Sequence, residues 1–220
     1  MKLKKILSNN KIYFSIYILF LISGLTLFLS LGKSESFILL NSFHTEALNQ
    51  FFIYFTYVGD GLFSVILGIF SIVIFKNKPY GLSILFSYAF AGIIAQSIKR
   101  MVDSPRPKLY FVNGGYDQFI EGLKLYSQNS FPSGHTATAF AMFTVIALFV
   151  SNKNYQWLFL ILAVGVGYSR VYLGQHFLLD ILAGSFIGVL CGISAYYITV
   201  YNIHIRKKIP KIYSNFNINS

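Results

Sequence analysis

The chain has 220 residues, 55% of them hydrophobic and only 11% charged, with a mean hydropathy of +0.60 and a formal net charge of +11. A chain this apolar falls outside the ordinary soluble domains and is expected to be an integral membrane protein. Its single cysteine, Cys191, sits in an apolar run and excludes an intramolecular disulfide framework.

Crossing about 30 Å of hydrocarbon as a helix takes on the order of 20 apolar residues. By that measure the spacing predicts an all-α polytopic fold, one membrane-embedded domain over 1–220 with six transmembrane helices near 12–31, 51–75, 81–98, 134–150, 155–169 and 177–201. The first has features of a signal peptide, with Lys2 to Lys5 ahead of it and Ser30-Leu31-Gly32 behind. Its apolar run exceeds the 7–15 residues of a signal core, so it is expected to stay as a span. Phe37 to Gln50 then reads as an interfacial piece. The second span contains Asp60 between Gly59 and Gly61; this carboxylate either starts or kinks a helix at the outer interface, or pairs with a cation such as Lys99 or Arg106. Between the third and fourth spans, Lys108 to Phe131 is a polar, aromatic-rich connection with a short helical alternation over Phe119 to Tyr126, suited to the headgroup layer. The fifth span is short, and the sixth carries Asp180 near its start. Gly165, Gly167, Gly184, Gly188 and Gly192 predict close helix contact.

Charge sets the orientation. With the N-terminus in the cytoplasm, the inner segments hold Lys2, Lys4, Lys5, Lys11, Lys76, Lys78, Lys153, Arg206, Lys207, Lys208 and Lys211, and all seven acidic residues fall outside. Both termini are therefore expected in the cytoplasm. The excess positive charge has a topological reading and suits anionic headgroups; no nucleic-acid motif interleaves with it.

With that topology, three polar blocks reach one outer membrane face: Lys99 to Pro107, Pro132 to His135, and Ser169 to Asp180. Together they carry the parts for binding and attacking a phosphate ester, which needs its oxygens neutralised, a nucleophile in line and an acid for the leaving oxygen. Lys99, Arg106 and Arg170 can form a positive cradle, the arginines through paired N–H donors. Ser133 and Gly134 precede a helix, where free backbone N–H groups favour an anion and Ser133 can also act as cap. His176 and Asp180, four apart, share a helix face, so that Asp180 can fix the imidazole tautomer and leave the other nitrogen free to attack. His135 remains as the candidate acid. His44 and His204 fall on opposite sides of the expected membrane, and no His or Cys pairing supports a metal centre.

Lys99 with Arg106-Pro107, Pro132-Ser133-Gly134-His135, and Ser169-Arg170 with His176 and Asp180 together resemble the three-part signature of the type 2 phosphatidic acid phosphatase superfamily. The resemblance implies a phosphohistidine formed on His176, His135 as general acid, and no metal or other cofactor. It also implies a membrane lipid as substrate, lipid A or undecaprenyl diphosphate first and phosphatidylglycerophosphate or phosphatidic acid second, at the outer face of a bacterial inner membrane. No nucleic acid and no obligatory protein partner are expected. The related vanadium-dependent haloperoxidases are soluble helical proteins, unlike this chain. A lipid-phosphate binding or transport protein is the reading from another class, weighed down by the retention of every signature residue.

Overall fold

The computed structural model describes the backbone of residues 3–213 and the side chains of residues 3–200. Lys2 and the side chains of His204, Arg206, Lys207, Lys208 and Lys211, on which part of the orientation rests, lie outside the described residues. Among the described residues nine α-helices follow one another: α1 (Leu3–Asn9), α2 (Lys11–Asn41), α3 (Glu46–Phe55), α4 (Gly61–Val73), α5 (Lys78–Met101), α6 (Pro107–Tyr110), α7 (Gly134–Phe149), α8 (Gln156–Tyr172) and α9 (Leu178–Tyr213). The protein is an all-α, polytopic membrane protein. Of the described residues, α2, α5 and α9 are each long and apolar enough to cross a bilayer, and α3 with α4 makes a fourth crossing if the bent pair is one span. With 16 and 17 residues, α7 and α8 reach about 24–26 Å at 1.5 Å per residue, short of a full hydrocarbon core.

Three expectations are corrected by the backbone. The segment 51–75 is not one helix: α3 ends in a 3₁₀ turn over Thr56–Gly59, Asp60 is extended (ψ 144°), and α4 leaves at 56° to α3. Asp60 is the N-cap of α4, its Oδ1 accepting from Leu62 N at 2.8 Å, which satisfies one of the N–H groups a helix start leaves open. Phe119 to Tyr126 is not helical either. Gly122 turns there with φ +73°, and the apolar side chains pack inward: Phe119 joins Phe37, Phe111 and Phe177, while Ile120 and Leu123 lie against Phe52 and Tyr172. Ring contacts outweighed the weak helical spacing. Likewise Phe37 to Gln50 is divided between the end of α2 and the start of α3, with Thr45 capping the latter.

At the centre stands α7, with nearly every side chain from Thr136 to Leu148 buried, as expected of a helix apolar all round. Its Ala and Thr positions admit α9 to backbone contact. A Cβ on Gly184, Gly188 or Gly192 would lie 2.7 Å from Ser133 O, 2.5 Å from Ala137 O and 2.8 Å from Ala141 O. The glycine stripe of the last span is thus a seam against α7. Gly167 brings α8 against Ile181 and Thr136 in the same way. Polar pairs lock the periphery on: Tyr13 hydrogen-bonds Thr144 (2.7 Å) and Gln156 Nε2 donates to Asn10 and to Ala147 O.

Candidate active site

All three polar blocks meet at one end of this bundle, where α5 and α8 finish and α7 and α9 begin. The 3₁₀ turn before Asp60 reaches the same end and packs on His135: a Cβ on Gly59 would sit 2.9 Å from His135 O.

Asp180 is the organising group. It lies in the first turn of α9, 4% exposed, and its Oδ2 accepts from Phe177 N (2.9 Å) and from the hydroxyl of Ser130 (2.5 Å). His176 Nδ1 is 3.4 Å from the same oxygen. The sequence expectation put His176 and Asp180 on one helix face. In the structure His176 lies in the turn before α9, which begins at Leu178, and the two meet because the carboxylate reaches back over the helix start. Among the described residues Nδ1 has no aligned hydrogen-bond partner, so it faces the Asp180 carboxylate at close range without a formed hydrogen bond. His176 is 2% exposed. Burial pushes its pKa down to about 3, against the opposing pull of Asp180, which keeps the ring neutral and its lone pair available at physiological pH.

The cations are held from behind by neutral oxygens, main-chain and side-chain. Arg170, 7% exposed, donates from Nη1 to Thr56 Oγ1 (2.9 Å), and its buried Nε has no partner among the described residues. Arg106 donates from Nε to Gln128 O (2.9 Å) and from Nη1 to Gln175 Oε1 (3.0 Å). Lys99 Nζ donates to Asn129 O (2.5 Å). Asn129 adopts φ +59°, a left-handed conformation that asparagine tolerates better than most residues. The cations lie within electrostatic reach of one another, Lys99 with Arg106 and Arg170, and Arg106 with Arg170. Three like charges brought together and half-satisfied by neutral oxygens form a site that favours a polyanion.

Ser133 and Gly134 begin α7. Ser133 is fully buried, its N–H donates to Asp180 O (3.0 Å), and its Oγ accepts from Thr136 Oγ1 (2.8 Å). Its side chain is spent as a cap, and the link to Asp180 O ties the second block to the third. His135 follows, half-buried. It lines a cavity of about 600 Å³ with Gly59, Asp60, Tyr88, Gln96 and Arg100, and its Nε2 is 3.9 Å from Asp60 Oδ2. Asp60 therefore faces a histidine of the site, not the Lys99 or Arg106 considered from sequence. No group of three or more His, Cys, Asp and Glu side chains gathers among the described residues.

Sequence reasoning missed Ser130, Thr56 and Gln175, each of which holds a charged member of the site. Ser130 stood two residues from a motif and could have been noticed. Thr56 and Gln175 carry no signal without the fold.

Residues 80–204 match the PAP2 superfamily. The chain belongs to that superfamily. Its fold superimposes on the crystal structure of Aquifex aeolicus LpxE with a TM-score of 0.62 and 30% sequence identity, over 74% of this chain and 93% of that one. It is 27% identical to the undecaprenyl-diphosphatase of Sulfolobus acidocaldarius, covering 80% of this chain and 85% of that protein. It is also 33% identical to a lipid A 1-phosphatase of Rhizobium johnstonii, over 47% of this chain. The chain spans about two fifths or less of the length of that relative and of some others it matches.

Proposed function

We propose that the protein is a metal-independent lipid phosphatase that works through a phosphohistidine. The observation that carries this reading is the buried, neutral His176 beside Asp180, opposite the convergent cations Lys99, Arg106 and Arg170, with His135 facing a cavity between α4, α5 and α7. Phosphate settles among the cations and the N–H of Gly134 at the start of α7. His176 attacks phosphorus through its Nε2 while Asp180 stabilises the positive charge that develops on the ring. The P–O bond to the leaving group breaks as His135 delivers a proton to that oxygen. Water then cleaves the P–N bond with the same groups in reverse roles.

Lipid A phosphate or undecaprenyl diphosphate is the preferred substrate. The phosphatases named among the relatives favour these, and a site at a membrane-facing cavity suits a substrate that never leaves the bilayer. The six spans rest on the apolar stretches of the sequence, and the cytoplasmic termini and an outward-facing site on the distribution of lysine and arginine.

The test is phosphate release by purified protein in detergent with EDTA, from lipid A, undecaprenyl diphosphate and phosphatidylglycerophosphate, beside His176→Ala. Release that survives EDTA and vanishes in the variant supports the mechanism. Release that persists in His176→Ala, or that stops when the chelator is added, overturns it.

A further inference from the structure

We propose that Asp60 is a positioning residue for His135, offsetting the cations around that histidine and aiming it at the departing oxygen. The step is the leaving-group half of the reaction proposed above, and the inference rests on that reading.

Three features of the backbone deliver this carboxylate. The helix pair α3/α4 breaks at Asp60; Gly59 lets the turn close onto the backbone of His135, where any Cβ would collide; and Leu62 N anchors Oδ1. With one oxygen spent on the cap, the other is left 3.9 Å from His135 Nε2. The charges that reach His135 from every side argue for a counterion. Arg170 from α8, Lys99 from α5 and Arg106 from the following loop all act on it, and Asp60 is the carboxylate that opposes them. Tyr88 and Arg100 of α5 line the same cavity. An imidazolium among three cations loses its proton readily unless a negative charge stands beside it. His176, by contrast, does not line this cavity, so the cavity lies on the leaving-group side.

The chemistry balances simply. As the His176–P bond forms and the P–O bond breaks, the proton on His135 passes to the leaving oxygen, His135 becomes neutral, and Asp60 remains a carboxylate throughout.

Leaving groups of different basicity provide the test. An alkoxide needs the acid, whereas p-nitrophenolate leaves largely without it. Asp60→Asn preserves the cap, since asparagine serves that position as well as aspartate does, and removes the charge; Asp60→Ser is a second cap-preserving variant. Both are measured with dioctanoyl phosphatidic acid and with p-nitrophenyl phosphate across pH 5–9, beside wild type and His176→Ala. The expected result is a loss of about tenfold in kcat on the alkyl phosphate, less than about threefold on the aryl phosphate, and an alkaline limb displaced downward by about one pH unit. Equal losses on both substrates with an unmoved limb, or full activity on both, overturn it. Turnover by wild type that is lost in His176→Ala upholds the phosphatase reading whatever Asp60→Asn does, so the two fail separately.

Discussion

Ser130→Ala isolates the hydrogen bond that braces Asp180. The serine is fully buried and its hydroxyl donates to Oδ2 of a carboxylate that is itself 4% exposed. A hydrogen bond to a charged acceptor contributes about 1.5–3 kcal/mol. The Phe177 N–H at 2.9 Å stays on the same oxygen, which places the loss at the low end, about 1.5 kcal/mol. If Asp180 acts in the transition state by stabilising charge on His176, that loss appears as a fall of roughly tenfold in kcat/KM. The decisive assay is a double-mutant cycle in kcat/KM with Asp180→Asn. Once the carboxylate has become an amide, the serine has no anion to stabilise, and Ser130→Ala in that background should cost less than about twofold. A tenfold loss in both backgrounds would mean that Ser130 acts through packing alone. No loss with Asp180 present would remove the brace altogether.

Gly188→Ala should destabilise the protein by about 1–3 kcal/mol, because its Cβ would fall 2.5 Å from Ala137 O and 2.7 Å from Phe140 Cβ, neither of which can yield; thermal melting in detergent reads this, with Gly92→Ala, which meets open space, as the control. Acid stability should depend on His176. Its folded pKa lies near 3 against 6.5 unfolded, so the unfolded chain takes up the extra proton and stability falls as pH drops below about 6.5, by up to about 1.4 kcal/mol per pH unit from this group. Melts of wild type and His176→Gln at pH 7.5 and 4.5 should show the smaller acid loss in the variant. Thr56→Val leaves Arg170, already orphaned at Nε, without its Nη1 partner; inhibition constants for vanadate, a mimic of the transferring phosphoryl group, should rise about threefold or more.

Much of the site could be read before the fold. Motif positions placed His135, His176, Asp180, Arg170, Arg106 and Lys99 at corresponding ends of successive helices, and an alternating up-and-down path then brings them together whatever the helix tilts. What the sequence hid was the scaffolding around them. Ser130, Thr56 and Gln175 are ordinary polar residues whose roles arise from contacts 50 residues or more away in the chain. The break at Asp60 escaped hydropathy, which averages over side chains, but not the residues: between Gly59 and Gly61 the carboxylate was expected to start or kink a helix, and it starts α4. Phe119 to Tyr126 misled for a different reason: a period close to helical was produced by apolar side chains that pack on Phe37, Phe52 and Tyr172 from an irregular strap.

The seam of Gly184, Gly188 and Gly192 against α7 bears on how the protein meets its lipid environment. His135 lies in the first turn of α7 and His176 in the turn that leads into α9, the two helices that this seam joins backbone against backbone, and a crossing fixed by main-chain contact resists change in tilt. Bilayers of unequal thickness ask helices to tilt or to stretch the surrounding lipid. Here α2, with 11% of its apolar window buried against 61% for α9, is free to absorb that mismatch. The reacting groups are thereby insulated from membrane thickness, and acyl-chain length in the host bilayer should alter the lean of the outer helix far more than the distance between His135 and His176.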